Sequence, residues 1–483
     1  MRRLIVKDSI ASGISRVALL MFIGCVGWFG VAIEAAGEVE LTQGDVERIL
    51  RVQPYPAGGV NAWNRWLEFS GSFEDTSIEE DDILYSIICR GTEPPVPELL
   101  EKSGAILTRY QPFLNAFKLR ENEFVGMRSN TIAGGDFPNL FWFRQLARLK
   151  AYSASTLWWG GKKGQAFSEA IDVCIIGGSA CRYTPDFIGF LTGIAVRSVA
   201  LEPVYWMTNH TGIEEDSFVA ALDAIEGGDR DVLLGFERAI RGDYELMLRL
   251  WSDNLPEKEQ WLALFSELRV TVAESVVGEL AELSKKLDIR LLNRQYTREV
   301  CGRALAEVIA LIEDHEYWEP QEQSRRYEET IDEWGGDLEA FRTNLEHAVS
   351  LETESDRAEA IVVALRDCPN PLGAVILENW APALDKIGET TQVIVATSRL
   401  IALLMQMRLI TSRGDELPES LPELLPVGYS QTTLMDPLSG ERFKYDPLRK
   451  AVWSVGRNRI DDNGSAHENT PALGKDIVLT LGN

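Results

Sequence analysis

Apolar residues recur at three- and four-residue steps from about residue 40 to residue 380. That spacing matches one face of a helix rather than the alternation of a strand. The clearest run is Trp261, Phe265, Leu268, Val272, Val276, Leu280, Leu283 and Leu287, with Glu267, Glu274 and Lys285 off it. It predicts one continuous apolar stripe along a helix. Pro256-Glu-Lys-Glu259 before it places acids where the positive end of a helix dipole favours them.

Other segments repeat the theme. Leu140–Leu149 leads into Ala151–Leu157, a Gly160-Gly161 break follows, and a new helix begins over Gly164–Val173. A further helix is expected from Phe187 to about Ala200, and Glu237–Gly242 reads as a helix ending at its glycine. The helix–glycine–helix rhythm is hairpin- or solenoid-like, but the period is irregular and the tetratricopeptide signature is absent. Pro54–Gly59 and Glu93–Pro97 read as loops, and Cys368–Gly373 as a hinge. The expected fold is mainly α. Residues 38–380 form a helical domain and residues 381–483 a small α+β module.

The N-terminus implies a place. Arg2, Arg3, Lys7 and Arg16 precede an uncharged run from Val17 to Ile33. A membrane span needs about 17–25 residues, whereas the apolar core of a cleaved signal has about 7–15. The expectation is a cytoplasmic tail over 1–16, then a single-pass anchor in the inner membrane over 17–36. The basic flank then leaves residues 38–483 on the periplasmic side. Cleavage near Ala35-Ala36-Gly37 is the alternative, and a lipoprotein box at Phe22–Cys25 a weaker one. No later segment is expected to span. The best, Val393–Ile410, carries Arg399 and Arg408, each costing about 2.5–3.5 kcal/mol near a bilayer centre. It fits better as a core helix.

Little in the chain points to chemistry. A net charge of −26 repels nucleic-acid phosphates, and no basic patch offsets it. The six cysteines include no CxxC pair. Cys174 and Cys181 share a face if their helix is continuous, but Gly177-Gly178 lies between them as a candidate break. His210, His315, His347 and His467 stand in no metal-binding spacing. Gly177-Gly-Ser-Ala-Cys181 lacks the fifth glycine of a nucleophile elbow. Gly160-Gly-Lys-Lys-Gly164 is not a P-loop, and Glu79–Asp82 reads as a solvated loop or helix start. No catalytic residue and no organic cofactor site is assigned.

The last hundred residues are the patterned part. A helix from about Leu384 to Thr411 ends at Arg413-Gly414. A turn between prolines follows over Leu417–Pro426. Phe443–Tyr445, Ala451–Val455 and Ile477–Leu481 read as three antiparallel strands, giving a long helix with a small sheet laid on it. Gly414 with Pro418, then Asp436, Pro437, Gly440 and Tyr445, then Ser454 and Gly456, fall in order along this segment. The order resembles the soluble core of the type II secretion major pseudopilin. That resemblance implies a calcium ion held by the acidic loop, with Asn458, Asp461, Asp462 and Asp476 as ligands. There are departures. Leu417 replaces a tyrosine, Asn458-Arg459 replaces Asp-Gly, and the prepilin signature is missing.

These features imply a non-enzymatic, membrane-anchored envelope protein with a helical scaffold and a pseudopilin-like end. The inner membrane, through residues 17–33, and other envelope proteins are the expected partners. The alternatives are a component of a secretion or pilus-like machine, and an enzyme with an unrecognised acidic site in the helical domain.

Overall fold

The computed structural model describes residues 46 to 482 apart from 88–93, 128–136, 251–256, 288–290, 315–324, 330–336, 426–430, 466–475 and a few shorter stretches. The expected membrane segment over 17–36 lies outside the described residues, as do Cys25, Cys89, His315 and His467.

Among the described residues the protein is mainly helical, with fourteen α-helices and five short strands. β1 (Val60–Asn61) leads directly into α1 (Ala62–Ser70), where the Asn61 side chain accepts from the Trp63 N–H. Next is α2 (Ile78–Ser86), opened by a capping box between Ser77 and Glu80. The acids Glu79–Asp82 are thus a helix start. There Glu80 pairs with Arg109 and Asp81 with Arg148. α3 (Pro97–Ala116) begins on proline, and β2 (Glu123–Phe124) pairs parallel with β1.

α4 (Phe137–Trp159) and α5 (Lys163–Tyr183) are joined through Gly161, whose φ of 82° favours glycine. α6 (Phe187–Thr208) is capped by Asp186, and α7 (Glu215–Leu250) runs for 36 residues. α8 (Glu257–Leu268), α9 (Glu274–Leu287), α10 (Arg294–Asp314), α11 (Leu338–Ser350), α12 (Glu354–Asp367) and α13 (Pro371–Glu378) follow. α14 (Trp380–Ser412) ends where Asp415 N–H reaches back to the Ile410 carbonyl, with Gly414 at a φ of 83°. Two 3-10 turns, Leu421–Leu424 and Gln431–Leu434, lead to β3 (Lys444–Asp446), β4 (Ala451–Ser454) and β5 (Ile477–Thr480). These three strands form an antiparallel sheet with β4 central, Tyr445 opposite Val452 and Trp453 opposite Val478.

The chain divides into two compact units. One holds residues 240–387 with the residues up to 51, and the other holds 52–239 with 388–483. Residues 388–483 therefore pack as part of the unit that contains residues 52–239. In the first unit, Trp261, Phe265, Leu280, Phe341, Leu345 and Ile361 meet in one core. In the second, Trp63, Trp66, Phe117 and Phe143 stack and meet edge to face. Each such buried aromatic contributes roughly 1.5–3 kcal/mol.

Four expectations are corrected. The apolar stripe 261–287 is two helices, α8 and α9, which pack on each other. The β-branched run Val270-Thr-Val272 is a poor place to continue a helix. The Val270 N–H closes α8 on the Phe265 carbonyl. Gly242 does not end its helix, because α7 continues to Leu250. Gly177-Gly178 does not break α5, and Cys174 and Cys181 are buried free thiols. Cys368–Gly373 is not a hinge. Asn370 is buried and donates to Thr297 Oγ1 at 2.7 Å, and a Cβ on Gly373 would lie 2.1 Å from Asn370 Nδ2.

Two helices are long and apolar enough to cross a membrane by length and composition, Phe187–Thr208 and Ala383–Ser412. Their apolar windows are 78% and 83% buried inside the protein, as in core helices. Arg399 donates to the Met435 carbonyl. Arg408 donates to the carbonyls of Thr208, Asn209 and Gly482. Both arginines of the long helix are satisfied by protein.

Candidate functional site

Polar groups inside the second unit gather around Arg197. This arginine sits mid-way along α6, and its side chain is fully buried. Its Nη2 donates to Asp229 Oδ1 at 2.7 Å and to the Ile225 carbonyl at 3.1 Å, both on α7. Its Nη1 donates to the Cys174 carbonyl of α5, and Nε and Nη2 both reach Ser398 Oγ on α14. One guanidinium thus ties together four helices: α5, α6, α7 and α14.

Glycines make the room. A Cβ on Gly228 would fall 2.0 Å from Arg197 Nη1, and one on Gly177 would fall 2.6 Å from the Arg197 backbone N. On the same helices, a Cβ on Gly193 would meet Cys181 N at 2.7 Å, and one on Gly235 would meet Cys181 O at 2.4 Å. The helices approach to backbone contact, and only glycine permits that.

Burial raises the carboxyl of Asp229 to about 6, against the pull of Arg197, Arg399 and the Ser398 hydroxyl. Desolvation outweighs the ion pair here, as it often does for enclosed charges. Burial also lifts the Cys174 thiol to about 11 and the Cys181 thiol higher still. These are poor nucleophiles at neutral pH. Ser179, the serine of the apparent elbow, lies inside α5, where its Oγ accepts from Val125 N–H.

Beside Asp229 is a cavity with about 10 Å³ of free space, to which Glu226, Gln406 and Thr433 also contribute. It has room for about one water.

The second polar centre is the C-terminal loop. Asp436 is buried and accepts from the N–H groups of Leu438 and Val455. Tyr445 Oη donates to the Pro418 carbonyl at 2.9 Å, tying the sheet to the turn between prolines. Burial raises this phenol to about 12. Of the four residues expected to hold calcium, hydrogen bonds link Asn458, Asp462 and Asp476, while Asp461 is turned to other partners. Asn458 Nδ2 donates to Asp462 Oδ2, and the Asp462 N–H donates to Asp476 Oδ1. Asp476 is buried and also accepts from Gly464 N–H, and Asp461 Oδ1 accepts from Trp453 Nε1 and Asn463 N–H. Arg449 occupies the carbonyls of Asn463 and Gly464. Among the described residues no group of three or more His, Cys, Asp or Glu is placed to hold a metal.

Of the other singled-out residues, His210 stacks on Trp206 with ring centroids 3.7 Å apart. His347 is exposed on α11. Sequence reasoning passed over Arg197, Asp229, Ser398 and Gln406. The available signal was a lone arginine between apolar turns of α6, since a charge buried there requires a partner. Comparison with known proteins finds no matching family model, no matching curated protein and no matching solved structure.

Proposed function

We propose that this chain is a non-enzymatic, membrane-anchored envelope protein. Its helical units serve as a scaffold for other envelope proteins, and its terminal segment is a pseudopilin-like module built into that scaffold. The carrying observation is that reactive and charged side chains act as internal ties. Arg197 joins helices, Asp436 and Asp476 hold loop N–H groups, and Arg408 fastens the end of α6 to Gly482. The cavity beside Asp229 takes about one water, far less than a substrate needs. Fastening of residues 388–482 to residues 52–239 by Arg408, and by the Gly482 N–H on Asn209, favours a built-in module over a filament subunit.

The anchor is assigned to residues 17–33, with the bulk of the chain on the periplasmic side. Protease added to spheroplasts that carry the full chain should digest it beyond residue 38. A protected C-terminus would falsify export. Co-purification with a secretion ATPase or filament proteins would instead make it a working part of a secretion machine.

Calcium at Asn458, Asp461, Asp462 and Asp476 is a separate proposal, supported by the hydrogen bonds that run from Asn458 to Asp462 and from Asp462 to Asp476. Millimolar calcium should raise the Tm of the full chain relative to chelator. An unchanged Tm removes the metal and leaves Arg449 and the loop N–H groups as what closes the loop.

A further inference from the structure

The cavity beside Asp229 contains an unanswered donor. Gln406 is 4% exposed, lines the cavity, and its Nε2 has no hydrogen-bond partner. A buried donor left in that state costs about as much as the desolvation it has undergone. The groups lining the cavity with it are acceptors: the carboxylates of Asp229 and Glu226 and the hydroxyl of Thr433. None of them reaches Gln406 Nε2 directly. A space of one water's size, with several polar partners, is the ordinary setting of a structural water.

We infer that the cavity is a hydration site, in which one water accepts from Gln406 Nε2, donates to the Asp229 and Glu226 carboxylates, and carries protons between Asp229 and solvent. A cation fits the same space less well. Arg197 already donates to Asp229, and the positive charge of Arg399 acts on the same carboxylate. Half-buried Glu226 gives the route to solvent.

The groups facing Asp229 come from every element around it. They are Arg197 from α6, the Cys174 thiol from α5, Ser398, Arg399 and Gln406 from α14, Thr433 from the second 3-10 turn, and Glu226 from its own helix. The Asp229 carboxyl is raised in the fold, so the fold holds its proton when the unfolded chain has lost it. Ionisation of Asp229 therefore costs stability as pH rises from the usual carboxylate range, near ~3.9, to about 6. Above that window the cost is constant. The titration of Asp229 makes the helix junction at Arg197 responsive to pH in this range.

The test compares the full chain with Gln406→Met and Asp229→Asn by thermal unfolding from pH 4.5 to 7.5. Methionine matches glutamine in size and has no donor. With a bridging water, Gln406→Met should lower the Tm by about 2–4 °C, the scale of one lost interaction in a unit of this size. If the cavity is dry, the orphaned donor disappears and the Tm rises or holds, which overturns the proposal. The Tm gap between wild type and Asp229→Asn should be widest at pH 4.5 and narrow toward neutrality. In the Gln406→Met background the carboxylate loses the water's donated hydrogen bond, so that narrowing should move to higher pH, and an unmoved profile rejects the water's contact with Asp229. A Tm higher in sodium chloride than in equimolar choline chloride would assign the cavity to a cation and overturn the hydration site.

Discussion

Replacing Arg197 by methionine should cost about 3–5 kcal/mol at neutral pH, the scale of breaking a buried ion pair from one side, and the loss should shrink in acid. The variant leaves Asp229 enclosed without its counter-charge, and it leaves Ser398 Oγ and the carbonyls of Cys174 and Ile225 without their donor. Burial already raises the Asp229 carboxyl, and Arg197 heads the influences that hold it down. Without Arg197 the carboxyl moves further up, so the window over which ionisation costs stability extends toward pH 7. At pH 4.5 Asp229 is protonated in both proteins, and only the lost hydrogen bonds and packing remain. Thermal or urea unfolding at pH 4.5 and pH 7.5 measures both numbers. An equal loss at the two values would show that Asp229 does not answer to Arg197.

Gly177→Ala is the second large effect, with a geometric origin. The new methyl would lie 2.6 Å from the Arg197 backbone N and 2.8 Å from its Cα. No rotamer relieves a clash with backbone, so α5 and α6 have to move apart where Arg197 and Gly193 hold them close. Overpacking typically costs about 1–3 kcal/mol, and the upper end applies when the obstacle is main chain. The control is Gly227→Ala, also mid-helix, where an added Cβ meets nothing within 4 Å. There alanine's helix propensity should give a gain approaching about 1 kcal/mol. Opposite signs for the two alanines are expected in one set of unfolding curves. Matching values would mean that α5 and α6 do not touch at Gly177.

The contrast between these glycines also marks what the sequence discloses. The helices of the middle and the three C-terminal strands are legible because apolar period and turn chemistry are local properties. Gly161 and Gly414 end helices, as their positions beside polar turns imply. Gly177, Gly228 and Gly235 look the same in sequence but run inside helices, because a neighbouring helix needs the space of their missing side chains. The break between α8 and α9 is hidden for a related reason. The stripe stays in phase across it, and both halves feed one core. Arg197 and Asp229 are 32 residues apart, and Arg197 and Ser398 are 201 apart. No local pattern joins them. The C-terminal loop sits between these cases. The order of its acids and turns was readable, but the use of Asp461 and Asp476 as acceptors for N–H groups required coordinates.

The division of the chain into units has a consequence for its biogenesis. The unit that begins at residue 52 is interrupted at 239 and resumes only at 388. Its ties span the interruption, from Arg197 to Ser398 and from Asn209 to Gly482, the latter 273 residues apart. A ribosome therefore delivers everything needed for the inserted unit while the surrounding one still lacks its closing helix and sheet. During that interval Arg197 already has Asp229 but still lacks Ser398, and the apolar surface of the unfinished unit stays uncovered, the condition in which nascent chains most need a holding partner. The unit that begins at residue 52 is the last to be completed, and its closure waits on the final strand, Ile477–Thr480.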